Sequence, residues 1–237
     1  MEHPGLDRLA AIAGMLSVVV LVVGQYVAPA PVYPEEQVGG VTATFYVNYE
    51  ARLLAEAILL GVASMLFLLF LGGLRAFLAR AEGQPPRLAP AVLAAGTVTT
   101  GLVLLQAAIL TALTALRDNE LGVRAQGSAW ASRALYYLHG AVGELALFPF
   151  ALFLGVTAAV LLRTGVLPRW LGWVGAALGL LIGVLAVGTV AGLDIGPADQ
   201  VVFLLVAAWV AVLAFCLGWP LPSAAGRVDS HRANRAT

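Results

Sequence analysis

Apolar residues fall into six long runs, separated by segments that hold most of the charged residues and prolines. A helix needs roughly 17–25 mostly apolar residues to cross the hydrocarbon core of a bilayer. No run alternates polar and apolar residues with the period of two that a membrane β-barrel requires. The runs cover about Leu9–Ala28, Arg52–Phe77, Leu88–Leu116, Ala134–Leu162, Trp170–Leu193 and Val201–Leu217. The pattern predicts an all-α bundle of six transmembrane helices within residues 1–222, followed by a disordered tail over 223–237.

The arginines between these runs predict the orientation of the bundle. Placing both termini in the cytoplasm puts nine of the 13 basic residues inside and four outside. Cytoplasmic loops carry the excess of positive charge in membrane proteins, so this is the favoured topology. Residues 30–51 then form the longest outer loop, from which they can cap the bundle. We expect the first run to remain as an anchor, because Pro31 would follow any cleavage after Ala30.

The composition supports the membrane assignment and limits the classes of partner that the chain can bind. The chain is 61% hydrophobic and 11% charged, whereas soluble domains have about 25% charged residues. A lipid bilayer is therefore the expected surrounding. The net charge of zero gives no indication of a nucleic-acid partner. The single cysteine, Cys216, excludes an intrachain disulfide and a cysteine-based metal site.

Several polar residues interrupt the predicted helices, and ionisable groups in hydrocarbon are costly enough to mark functional candidates. At about 1.5 Å per residue, they lie in the outer half of the membrane. They are Glu56, Gln106, His139 and Glu144, with Tyr137 nearby on the fourth helix. This one-sided distribution predicts an outward-opening pocket lined by these five residues. It argues against the continuous polar path of an ion channel.

Spacing allows a structural alternative. Arg52 and Glu56 are four residues apart and can form an ion pair on one helix face, and Arg133 is a second candidate partner. His139 and Glu144 are five apart, about 140° around the helix, which is unfavourable for a shared metal ion. One histidine within the spans excludes a bis-histidine haem. We therefore predict no metal and no cofactor.

The fifth run contains a ridge of three glycines spaced four residues apart: Gly175, Gly179 and Gly183. A ridge without side chains lets a neighbouring helix backbone approach closely, which is how helices associate in lipid. We expect this ridge to pack against another helix of the same chain. The alternative is a homo-oligomer interface.

The stretch Leu162-Arg-Thr-Gly-Val-Leu-Pro-Arg-Trp-Leu-Gly-Trp-Val-Gly175 joins the fourth and fifth runs. With Arg8-Leu-Ala-Ala-Ile-Ala-Gly14 and the Arg52-containing second run, it resembles bacterial multi-pass proteins of domain-of-unknown-function family 4386. The resemblance covers most of residues 7–192. It implies a multi-pass protein of the bacterial plasma membrane, and it assigns no activity and no site residue.

Three functions remain open from the sequence. The leading hypothesis is a non-enzymatic binding or interaction protein, whose pocket takes a small amphiphile or a membrane protein partner. The first alternative is a small transporter that uses Glu56 and Glu144 as proton-linked groups. The second alternative is a membrane-embedded enzyme that uses Glu144 and His139.

The topology is directly testable. Reporter fusions inserted at Gln37 and at the C-terminus should report opposite sides of the membrane, because one crossing separates Gln37 from the N-terminus and six separate the two termini. Alkaline phosphatase and green fluorescent protein fusions measure this in whole cells. Two reporters on the same side would refute the six-helix topology.

Overall fold

The computed structural model of the chain describes residues 4–27, 40–115, 126–193 and 198–219. Within these ranges every regular element is helical. The helices are α1 Pro4–Val27, α2 Gly40–Glu82, α3 Ala89–Ala115, α4 Gln126–Thr164, α5 Arg169–Val190 and α6 Ala198–Gly218. Each contains a segment long and apolar enough to cross a membrane. The predicted all-α, six-helix class is confirmed. The predicted tail, residues 223–237, lies outside the described residues.

Two helices begin earlier than the hydrophobic pattern predicts. α2 starts at Gly40, although residues 30–51 were expected to form a loop, and α4 starts at Gln126. Their membrane-spanning segments begin only at Glu50 and Ala134. Polar residues end an apolar run, but they do not end a helix, because its backbone hydrogen bonds form equally well outside the hydrocarbon. At 43 residues, α2 is about 65 Å long.

Consecutive helices pack against one another from α1 through α5, and α6 returns to α1. α2 has the most neighbours, because it also contacts α4 and α6. The chain therefore alternates direction between two ends of the bundle. We call the end that holds Pro4, Glu82, Ala89, Thr164, Arg169 and Gly218 the terminal end.

Buried side chains form two separate clusters. The larger one occupies the half of the bundle near the terminal end, and all six helices contribute to it. Phe70 and Phe153 are fully buried at its centre. The smaller cluster lies towards the opposite end and draws its buried residues from α2, α3 and α4. These are Leu53, Ala57, Leu60, Ala107, Ile109, Leu110, Leu113 and Val142. In the described chain, α5 and α6 add nothing to this second cluster.

Glycines allow α5 to approach its neighbours. A Cβ on Gly179 would lie 3.0 Å from the backbone nitrogen of Gly155 and 3.1 Å from the carbonyl oxygen of Ala151 on α4. Gly175 faces α6 instead, where the indole ring of Trp209 covers it. The Trp209 Nε1–H donates to the carbonyl oxygen of Leu171 at 2.9 Å. The ridge thus contacts two helices of its own chain.

We expect Gly179→Ala to lower stability by about 1–3 kcal/mol, because the added methyl group meets backbone atoms that cannot move independently. Gly183→Ala is the matched control, since its Cβ would lie 3.8 Å from the Ala151 Cβ, an ordinary contact. Thermal unfolding in detergent measures both. Equal midpoints for the two variants would contradict the close α4–α5 contact.

Candidate ligand-binding site

Glu56 lies on the inward face of α2. Eleven residues later on the same helix, Phe67 packs edge-on against Phe153 of α4, with ring centroids 5.7 Å apart. Eleven residues make three helical turns to within about 20°, so Glu56 and Phe67 point in nearly the same direction. Glu56 is half-buried. Its carboxylate therefore projects towards the bundle interior, about 16 Å from the phenylalanine pair along the helix.

The same pair fixes the depth of Glu56 relative to α4. α2 and α4 run in the same direction, so the residue eleven positions before Phe153 lies level with Glu56. That residue is Val142, which packs with Leu53 and Ala57 in the second cluster. Glu56 is therefore level with the segment of α4 between His139 and Glu144.

Gln106 connects α3 to this segment of α4. Its side-chain Nε2 donates to the carbonyl oxygen of His139 at 3.4 Å, and its own carbonyl oxygen lies 3.4 Å from His139 Nδ1. Both hydrogen bonds are long and individually weak. Gly143, one turn beyond His139, provides the space, because a Cβ there would lie 2.5 Å from the Gln106 amide nitrogen. The spacing of four between His139 and Gly143 predicts that both lie on one face of α4, and the structure shows what that face contacts.

The contact with Gln106 also defines the protonation of the imidazole ring. A carbonyl oxygen only accepts, so His139 must carry a proton on Nδ1 to make this hydrogen bond. In the neutral ring, Nε2 is then an acceptor. The layer formed by Glu56, Gln106 and His139, which we call the polar layer, thus presents a carboxylate and an imidazole nitrogen that can both accept.

Glu144 and Tyr137 lie on another face of α4. Glu144 is nine residues from Phe153, about 180° around the helix, so it points away from α2. Tyr137 shares this face with Glu144 and is 59% exposed. The five predicted pocket residues therefore divide into an inward group, Glu56, Gln106 and His139, and an outward pair.

The expected ion pair between Arg52 and Glu56 is not formed. Arg52 is exposed at the end of the membrane-spanning segment, where its long side chain can reach water. Glu56 is one turn deeper. Among the residues that the structure describes, it makes no hydrogen bond and no ion pair. The side chain of Arg133, the other expected partner, lies outside the described residues.

Beyond the polar layer, towards the terminal end, the buried polar side chains of the described residues are serines and threonines. Thr99 and Thr100 of α3 bond to the carbonyl oxygens of Ala95 and Gly96, one turn earlier. The buried hydroxyls of Ser64 and Thr157 make no hydrogen bond within the described ranges. The larger hydrophobic cluster therefore forms an apolar floor below the polar layer.

The fold defines a multi-pass, all-helical membrane protein with a polar layer in one half of its bundle. Within the described residues, no three His, Cys, Asp or Glu side chains lie close enough to hold a metal ion. In comparisons with known proteins, no family model, no curated protein and no solved structure matches the chain. The resemblance to family 4386 stays a prediction.

A double-mutant cycle tests the contact between α3 and α4. Gly143→Ala should cost about 1 kcal/mol of stability, because the new methyl group displaces the Gln106 amide. In a Gln106→Ala background the same substitution should cost almost nothing, since the space is then empty. The cycle should give a coupling of at least about 0.5 kcal/mol in thermal unfolding. Additive effects would show that Gln106 does not occupy the space beside Gly143.

Proposed function

We propose that this chain is a non-enzymatic membrane protein that binds a small amphiphile with a cationic headgroup. The headgroup would interact with Glu56 in a pocket between α2, α3 and α4. The observation that carries the proposal is that Glu56, half-buried and directed inward, has neither a hydrogen bond nor an ion pair among the described residues.

Without a partner, the Glu56 carboxylate is energetically unfavourable inside the membrane. An ionised group at this depth in a membrane protein costs several kcal/mol unless a partner compensates it. A cationic headgroup supplies that compensation directly through charge and hydrogen bonding. His139 Nε2, an acceptor in the same layer, favours a headgroup that donates hydrogen bonds, such as a primary ammonium.

The packing supports an amphiphile over a water-soluble ligand. α5 and α6 contribute to the terminal-end cluster but not to the second cluster. An apolar chain can therefore lie against α2, α3 and α4 at this level while the headgroup reaches Glu56.

The arginine distribution supports an outward-facing pocket. The described arginines concentrate at the terminal end, which the topology prediction assigns to the cytoplasm. The polar layer lies nearer the other end of the bundle. The resemblance to bacterial multi-pass proteins favours the bacterial plasma membrane as the location.

The other two hypotheses receive less support. Transport would require a polar route through the terminal half, and the larger hydrophobic cluster fills that half. An enzyme centred on Glu144 and His139 would need both side chains at one point, whereas they are about 140° apart around α4. A membrane protein partner is the alternative occupant of the face of α4 that carries Glu144 and Tyr137, of which Tyr137 is 59% exposed.

Binding of dodecylamine by the purified chain in zwitterionic nanodiscs tests the proposal. Wild-type protein should be stabilised by dodecylamine, measured by thermal unfolding, and dodecanoic acid should have no such effect. Glu56→Gln should weaken dodecylamine binding about tenfold or more, since it removes a charged hydrogen-bond acceptor. Glu144→Gln is the matched control. It makes the same chemical change at a similar depth, but on the face of α4 that points away from α2.

Equal affinities of Glu56→Gln and wild type would overturn the assignment of the headgroup to Glu56. Loss of binding in Glu144→Gln alone would move the site to the outward face of α4. The folded state should tolerate Glu56→Gln, because no ion pair is broken. If the wild-type protein moves dodecylamine across reconstituted vesicles and Glu56→Gln abolishes this flux, the transporter hypothesis would be favoured instead.

A further inference from the structure

The two acidic residues described at the terminal end are both engaged within the protein. Asp7 of α1 accepts both of its contacts from Arg80 Nη2 of α2, at 2.8 and 2.9 Å. The Glu82 carboxylate accepts from the backbone N–H groups of Leu88 and Ala89, at 2.8 to 3.1 Å, and so caps α3. Neither carboxylate neutralises another arginine.

Five further arginines at this end have exposed side chains. Within the described part of the chain, none of them makes a hydrogen bond or an ion pair. They are Arg8, Arg75, Arg87, Arg163 and Arg169. The described terminal end is therefore a strongly basic surface whose cations have no acid of their own.

Arg163 and Arg169 stand in this surface on either side of the four-residue turn between α4 and α5. The turn is well defined: Gly165 adopts a φ of +63°, and Leu167 is buried beneath it. The Leu162 side chain packs over Gly172, so the two helices remain close up to their ends. Arg163 and Arg169 thus flank one well-packed corner of the bundle.

Exposed indole rings accompany these cations. Trp170 is 55% exposed directly after Arg169, and Trp173 is 67% exposed one turn further along α5. Tryptophan prefers the headgroup level of a bilayer, where its apolar ring and polar N–H are both accommodated. The indoles therefore set the α4–α5 turn at the depth of the lipid headgroups.

We propose that the corner formed by Arg163, Arg169 and Trp170 binds the phosphate of an anionic phospholipid. Charge complementarity identifies the ligand, and the position of the corner at the ends of two spanning helices identifies the bilayer as its source. The proposal does not depend on Glu56, which lies in the other half of the bundle. Phosphatidylglycerol, one negative charge on a two-chain lipid, is the simplest probe.

The experiment compares nanodiscs of phosphatidylcholine with nanodiscs that also contain phosphatidylglycerol. Native mass spectrometry counts the phosphatidylglycerol molecules retained, and thermal unfolding gives the difference in midpoint between the two lipid compositions. Each arginine near the surface should contribute about fivefold in affinity for an anionic lipid. The variant with both Arg163→Gln and Arg169→Gln should therefore bind phosphatidylglycerol about 25-fold more weakly than wild type.

Arg52→Gln is the control, because it removes one positive charge from the opposite end of the bundle. It should retain the wild-type preference, whereas Arg163→Gln alone should reduce it. Comparing two lipids for each variant cancels any general effect on stability. The proposal is overturned if wild type shows no preference, if the double variant keeps it, or if Arg52→Gln reduces it as much as Arg163→Gln.

Discussion

Close contact between helix backbones is the constraint on which this bundle depends. In hydrocarbon, an apolar side chain gains little from leaving lipid, so helices associate through close packing at small residues. Gly179 meets the backbone of α4, Gly14 lies under Phe70 of α2, and Gly218 packs against Ala11 of α1. These contacts join α4 to α5, α1 to α2 and α1 to α6. The order of the helices around the bundle follows from where such contacts are available.

The same constraint explains why the two halves of the bundle differ. Near the terminal end, all six helices meet in one cluster, and Phe70 and Phe153 fill its centre. Towards the other end, the buried cluster comes from α2, α3 and α4. A polar side chain is tolerated in the more open half, where Glu56 lies, because fewer apolar neighbours must be displaced. The position of the polar layer is thus a consequence of packing as much as of sequence.

Charge follows a complementary rule at the terminal end. Asp7 bridges α1 to α2, and Glu82 caps α3, so each acidic group fixes the position of a helix end. An arginine that finds no such partner stays exposed, because its guanidinium group is costly to bury. The acidic residues therefore fix helix ends, whereas most of the described arginines at this end lie on the surface.

The sequence by itself determined the number of membrane spans, their approximate bounds and their all-α class, because hydrocarbon thickness imposes a length that apolar runs must match. It also identified Glu56, Gln106 and His139 as polar residues at similar depth. The pattern of apolar residues could not locate the starts of α2 and α4, since a helix can continue beyond the end of an apolar run. Spacing suggested an Arg52–Glu56 pair that does not form.

Only the tertiary structure separated Glu144 and Tyr137 from the inward group, because the direction of a side chain depends on which face of α4 meets its neighbours. It also brought Gln106 to His139 across two helices and assigned Gly143 the space between them. Local spacing specifies relations within one helix, whereas relations between helices depend on their packing angles and register. Those are decided by the close contacts of the whole bundle.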